Sequence, residues 1–355
     1  MPFSFQKYLL TIFWLLSFLH NNLAQKTSDS ITTIAFGSCA QQDKPQPILG
    51  MVADLKPDFF IYLGDNVYGD TYDMKELKAK YTKLASKTEF QKLKANTKLL
   101  ATWDDHDFGW NDSGRHYPMK EASKQIFMDF FQEPQESERL KRPGIYNSYF
   151  HQYGNRILQI ILLDTRTFRD NLINFDPVAG HKTDFFYNPD YIQHQNADST
   201  LLGETQWKWL EAELSKKADV RIIGSSTQFG IEYNGYEAWA NFPNEMNRMT
   251  QLIKKTRAEG VIFISGDVHY AEISKRQFDQ LYPIYDFTSS GITSTWDFPT
   301  RNKYRIEGPV MENHFGLITI NWSSVIPSIK MEVIDIDGNQ RIEYTFLLDQ
   351  LSFWH

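Results

Sequence analysis

Apolar residues recur along this chain in two rhythms. Short runs of β type at 31–36, 59–63, 99–103, 220–224 and 261–265 predict strands, the last two of the fully buried kind. Between them, apolar positions repeat at helical spacing. Residues 74–93 carry a recurring Leu/Tyr face, and 119–131 stop before Pro134. Residues 204–217 set Trp207, Leu210 and Leu214 on one side, and 244–259 form a further helix. A hairpin is expected from 146–151 and 156–163 around Gly154-Asn155. The last third is strand-rich, at 284–288, 316–321, 330–335 and 341–347, with Asp337-Gly338 supplying the final turn. No internal repeat, low-complexity tract or linker interrupts this order. The pattern predicts one α/β domain of two packed sheets with helices outside.

One stretch has no period. Residues 168–201 are long, polar and aromatic, with Asp176-Pro177 and Asn188-Pro189 inside them. Long loops of this kind are often functional, so the stretch reads as a substrate-side insertion.

Composition narrows the class. Of 355 residues, 41% are apolar and 23% charged, as in soluble globular proteins, and aromatics reach 15%. A net charge of −7 argues against a nucleic-acid-binding surface, which is usually basic. Near the start, an apolar stretch at 8–19 follows Lys7. It is shorter than the roughly 20 residues a bilayer requires. Residues 1–24 are therefore expected to be a cleaved export signal ending at Ala24, with 25–355 as the mature domain. An uncleaved anchor is the rival reading. The expected location is secreted or periplasmic, without a membrane helix in the mature chain. Cys39 is the single cysteine, so an exported chain has no internal disulfide. It is either a small buried apolar residue or a ligand, and its position at the end of the first strand favours the ligand.

Four strand ends carry chemistry: Phe36-Gly37-Ser38-Cys39, Gly64-Asp65-Asn66-Val67-Tyr68, Trp103-Asp104-Asp105-His106-Asp107 and Gly266-Asp267-Val268-His269. Ligand sites in open α/β folds form beyond the carboxyl ends of strands. Gly-Asp-Asn by itself is a common turn, but the Asp65 carboxylate could bridge two cations. Tyr68 could add a phenolate or simply pack. Three acids around His106 repel one another unless a cation or an arginine neutralises them; a solvated loop is the alternative. Asn111 and Asp112 follow as further oxygen donors. His106 is the candidate to protonate a leaving group. Strand alternation puts Asp267 and His269 on one side. Leu163-Asp164-Thr165-Arg166 brings Arg166, which either forks onto phosphate or makes an internal pair in which Asp164 meets Arg166 or Arg169. Residues 225–228 add hydroxyls and an amide.

The ordered set resembles the PhoD-like alkaline phosphatases of the calcineurin-like metallophosphoesterase superfamily. Leu202-Gly203-Glu204-Thr205-Gln206-Trp207-Lys208-Trp209-Leu210 and Ser289-Ser290-Gly291-Ile292-Thr293 also look like family segments, and the likeness runs over about 31–315. It implies a four-layer αββα sandwich of two mixed sheets flanked by helices. It implies hydrolysis of phosphomonoesters, with phosphodiester or phospholipase D-like hydrolysis as the alternative. It implies Fe3+ held by Cys39, Tyr68 and Asp267, and a bridging Asp65. Ca2+ would lie on the side of Asp105, Asn111 and His269, and His106 would match the catalytic histidine. A thiolate suits iron or zinc and not calcium alone, so a mixed pair is expected, with Zn2+ or Mn2+ as other occupants. The expected partner is a phosphate ester and the expected state a monomer. Two rivals are a metal-stabilised lectin-like binding protein and a serine hydrolase. The latter lacks a Gly-x-Ser-x-Gly elbow.

Overall fold

The structure, a computed structural model, describes residues 30–185 and 187–353. The expected export signal lies outside the described residues. Among those described, no helix is long and apolar enough to cross a membrane.

The first sheet is built from β1 (Ile31–Gly37), β2 (Phe59–Leu63) and β3 (Lys98–Thr102), which run parallel, and from β13 (His314–Asn321), β14 (Ser328–Asp335) and β15 (Gln340–Leu347), which run antiparallel. Its order is β15-β14-β13-β1-β2-β3. In the second sheet, β5 (Arg156–Leu162), β8 (Val220–Ser225), β9 (Val261–Ser265) and β11 (Ile284–Ser289) are parallel. They are flanked by β4 (Asn147–Tyr153), β10 (Ala271–Arg276) and β12 (Arg305–Val310) in the order β12-β10-β11-β9-β8-β5-β4. Among its described residues, the 168–201 insertion contributes only the two-residue pair β6 (Ile173–Asn174) and β7 (Tyr191–Ile192).

Strand alternation sorts the first sheet's faces. Ile34, Phe36, Ile61 and Leu63 point at the second sheet, while Ala35, Phe60, Tyr62 and Ala101 point at helices. The helices on that outer face are α1 (Pro47–Leu55), α2 (Met74–Ala85), α3 (Thr88–Asn96) and α5 (Lys120–Phe130); the short α4 (Asp105–Phe108) and α6 (Glu138–Lys141) lie between the larger elements in the chain. The second sheet's outer face takes α7 (Gly203–Leu214) and α8 (Pro243–Thr256) through Trp207, Leu210, Met249 and Ile253. The four-layer αββα sandwich is thus the observed architecture.

Several elements depart from the expectation. The helix expected over 74–93 breaks at Ser86-Lys87, where Lys87 is extended. Tyr81 and Phe90 would fall on roughly opposite sides of one straight helix, and the break turns both into the same core. The helix α1 was not anticipated, although Pro47 opens it and left-handed Lys56 ends it. Nor were β10 and β12. In β10 the buried Glu272 disguises a buried strand, and it pairs with Arg305 of the more exposed β12.

Phe36 joins the two sheets. It is fully buried, meets Phe287 edge-on at 4.9 Å, and leaves no room for a Cβ at Gly316. Phe36→Ala should cost about 3–5 kcal/mol in urea unfolding. A second check uses Asp286 on the outer face of the second sheet. Its carboxylate accepts from Ser265 Oγ at 2.8 Å and from the N–H groups of Phe229 and Gly230 at 2.8 and 2.7 Å. Burial nevertheless pushes its pKa up from 3.8 to about 6. The folded state therefore holds this proton to higher pH than the unfolded chain. That contribution is complete at low pH and is lost as pH rises through about 6. Asp286→Asn should gain stability relative to wild type between about pH 4 and pH 8, by about 3 kcal/mol at most. A pH-independent difference would contradict the burial argument.

Candidate metal centre

The loops after β1, β2, β3 and β9 meet at one edge of the sandwich. Their approach is tight. Gly64 has φ 104°, and a Cβ there would lie 2.4 Å from Asp104 Cβ. A Cβ at Gly266 would lie 2.4 Å from Ser38 Oγ. The backbone is bent at the functional positions themselves. Cys39 (φ 61°), Asp65 (51°), Asp70 (44°), Asp267 (73°) and His269 (59°) all hold left-handed conformations. For residues other than glycine each of these costs on the order of 1 kcal/mol, and such strain collects at active sites.

Cys39 is fully buried, with Sγ 3.1 Å from Ser290 Oγ and 3.4 Å from Asp65 Oδ2. The thiol also reaches the Asp267 carbonyl at 3.7 Å. Burial pushes its pKa up. Asp65 Oδ1 is buried without a hydrogen bond, and burial, Cys39, Asp105 and Asp104 push its carboxyl well above the usual range. Tyr68 Oη makes no well-formed hydrogen bond although it is buried; Cys39, Asp65 and Ser294 are its polar neighbours. Asp105 accepts from the Asp112 N–H at 2.6 Å through Oδ2, while its Oδ1 has no hydrogen bond. Burial opposes its charge, but Arg166 and His106 hold its pKa down at about 2. One donor atom each from Asp65, Asp105 and His106 lies within 4.8 Å of the other two.

The two histidines are held by their outer nitrogens. His106 Nδ1 lies 2.8 Å from both Asp70 oxygens, so Nδ1–H donates and Nε2 is left for the site. Its ring stacks on Tyr68 at 4.3 Å. Burial works against the imidazolium, yet Asp65, Asp70 and Asp105 outweigh it and push the pKa up to about 10. His269 Nδ1 donates to the Ser294 carbonyl at 3.1 Å, which again frees Nε2. Burial lowers the His269 pKa and favours the neutral ring that a ligand requires.

Asn111 and Arg166 are placed differently from what the sequence suggests. Asn111 is exposed at the rim, where its Nδ2 donates to Asp112 Oδ2 at 2.7 Å and its N–H to Asp70 at 3.0 Å. Arg166 is fully buried and enclosed by carboxylates. Its Nε donates to Asp104 Oδ1, and its NH1 meets both Glu237 oxygens at 3.0 Å. The guanidinium is thus an internal pair and not an open fork, with partners other than Asp164. Asp164 instead accepts from the N–H groups of Ile145, Arg166 and Thr167 and from the Trp103 indole. Sequence reasoning did not single out Asp70 or Glu237, and it met Ser290 only inside a family-like segment. Asp70 had a signal, lying two residues after Tyr68. Glu237 had none.

The donor set suits cations. Asp65 Oδ1, Asp105 Oδ1, Asp104 Oδ2 and Tyr68 Oη are all buried polar atoms without hydrogen bonds. Buried groups of this kind ordinarily find partners. A thiol, a phenol, carboxylates and two imidazoles offer both soft and hard ligands.

Two facing mixed sheets with this donor set at their edge form a fold of the metallophosphoesterase type. Residues 34–316 match the PhoD-like phosphatase family, and the chain belongs to it. Alkaline phosphatase D of Bacillus subtilis (strain 168) is 24% identical over 310 residues, covering 73% of this chain. The chain spans 48% of that relative's length. The solved structure of PhoD superposes with a TM-score of 0.70 at 18% identity, covering 91% of this chain and 71% of its own. GAP50, described as the anchor in the inner membrane complex of Plasmodium, superposes at 0.55 and 13% identity, covering 92% and 90%. Likeness at these identities carries the fold alone, so the chemistry has to be argued from the site.

Arg166→Gln should destabilise the protein by about 3–5 kcal/mol, because it strands Asp104 and Glu237 as buried charges. Arg166→Lys should recover only part of this, since an ammonium lacks the fork geometry. Unfolding midpoints of both variants test it. Wild-type stability in Arg166→Gln would mean that the pairs contribute nothing.

Proposed function

We propose that this protein is a metal-dependent phosphoric ester hydrolase acting on phosphomonoesters. The observation that carries the reading is the cluster of buried donor atoms without hydrogen bonds at Asp65, Asp105 and Tyr68, beside the Cys39 thiol. Membership of the PhoD-like family and the curated alkaline phosphatase D relative support it. Cys39, Tyr68, Asp65 and Asp267 would hold the softer cation, Fe3+ on this reading, with Zn2+ or Mn2+ as alternatives. Asp65, Asp105 and His269 would hold the harder one, Ca2+. When bound, such a pair supplies Lewis acidity, charge neutralisation and a water acidic enough to ionise near neutral pH.

The chain's own residues do the rest. Asp70 fixes the His106 tautomer and aims Nε2 into the site. His106 carries the proton there and delivers it to the departing oxygen. Ser290 acts as a clamp, touching the Cys39 thiol at 3.1 Å and accepting from the His269 N–H at 3.0 Å. Arg166 acts as a positioning residue, through Asp104. A signal at 1–24 and a secreted or periplasmic location, with a mature domain over 25–355, go with this reading.

Cys39→Ala tests the metal assignment. Elemental analysis of the wild type should find iron beside a second metal, with iron lost in the variant together with p-nitrophenyl phosphate turnover. Unchanged metal content and turnover would make Cys39 a packing residue. Bis-p-nitrophenyl phosphate run alongside separates the monoester reading from the diester one. His106 has its own test. A general acid matters most when the leaving group is poor, and is worth about 10²–10⁴-fold. His106→Ala should therefore lose far more activity on an alkyl phosphate than on p-nitrophenyl phosphate. Equal losses on both would exclude the proton-donor role.

A further inference from the structure

The 168–201 insertion and the loop beyond His269 build an aromatic wall that begins at the metal centre. Trp296 lies against His269, ring centroids 5.3 Å apart, and its N–H donates to the His269 carbonyl at 3.1 Å. Phe298 stacks on Trp296 at 5.4 Å and 16°. Tyr236 approaches both, at 5.8 and 6.5 Å, and Tyr187 of the insertion follows 6.0 Å from Tyr236. Tyr187, Tyr236 and Phe298, with Pro299 and Thr300, line a cavity of about 540 Å³. That volume lies in the range of small-molecule pockets.

The wall is held firmly while its rings stay open. Thr300 is buried, with Oγ1 2.6 Å from the Tyr270 hydroxyl and accepting from Asn234 Nδ2 at 2.9 Å. Its carbonyl accepts from Arg305 at 2.7 Å. The Tyr187 hydroxyl donates to the Asn234 carbonyl at 2.6 Å, so the insertion is tied to the same anchor. Phe298 nevertheless remains 50% exposed. The cations of the rim do not explain the groove. Arg301 faces Glu232 at 3.2 Å, a carboxylate it shares with Lys303, and Arg305 faces Glu272, so each arginine already has a carboxylate partner. What remains to recognise a ligand is a set of ring faces.

We infer that this groove is a specificity subsite for the organic arm of a phosphate ester, and that the arm it takes carries a planar aromatic ring. The inference rests on the phosphoesterase reading, with phosphorus at the donor cluster and the ring along Trp296 and Phe298. A bare phosphate would leave the groove unfilled. The insertion therefore has a role in substrate choice.

The test is calorimetric binding of benzylphosphonate and methylphosphonate to the metal-loaded protein. Both carry the same anionic head, and their carbon–phosphorus bonds resist ester hydrolysis. Benzylphosphonate should bind on the order of tenfold more tightly, as a stacked and partly buried ring predicts. Phe298→Ala and, separately, Tyr187→Ala should bring that ratio toward one. Equal affinities in the wild type, or a ratio unchanged in both variants, would overturn the subsite while leaving the phosphoesterase reading intact. If neither phosphonate binds and no ester is turned over, the phosphoesterase reading fails and the subsite falls with it.

Discussion

Negative charge packed without enough positive charge is the constraint on which this molecule is organised. Asp65, Asp104, Asp105 and Asp107 are all buried at one edge of the sandwich, beside Cys39. Arg166 and Arg169 are the fully buried cations beside them; Asp104 and Glu237 already occupy the first, and Glu237 lies 3.4 Å from the second. Isolated carboxylates cannot stay ionised in such a place, so they protonate, find donors or bind cations. Asp107 took the second course. It accepts from Asp104 N–H, Asp65 N–H, Asn66 Nδ2 and the Tyr81 hydroxyl, which laces the loops after β2 and β3 together. Asp65 and Asp105 keep an oxygen without such a donor. The same cluster thus divides into acids that build the site and acids that are left to act in it.

The fold makes this arrangement possible at a distance from its core. Interleaved side chains such as Phe36 and Phe287 lock the two sheets face to face. The strand ends are then rigid enough to hold Cys39, Asp65, Asp70, Asp267 and His269 in left-handed backbone. None of these turns is favourable alone. Their strain is offset by long hydrogen-bonded connections such as Ile292 N–H to the Ser38 carbonyl and Thr293 N–H to the Cys39 carbonyl, each 3.1 Å. The aromatic loops stand apart from this frame, since Tyr187 and Phe298 lie outside the sheets that carry the donors. Resemblance of fold alone therefore carries no substrate.

Much was legible from sequence by itself. Buried strands announced themselves as unbroken apolar runs, and the residues just after them were Cys39, Asp65, Asp105, His106, Asp267 and His269. Strand ends gather in space whatever the rest of the chain does, so a local pattern was enough to nominate the centre. Partnership was not local. Arg166 found Asp104 and Glu237 and not Asp164, because a guanidinium pairs with whichever carboxylate packing brings to it. Asn111 sits only a few residues from Asp105, yet its turn leaves it at the rim. The break at Ser86 between two helices of continuous-looking periodicity was likewise decided by which core Phe90 had to enter. The chain thus specified by itself which residue types stand at the strand ends, because alternation and turns are short-range. Which of those groups are neutralised, oriented by Asp70 or left facing a cation was decided only in the tertiary structure, because burial and electrostatics depend on neighbours distant in sequence.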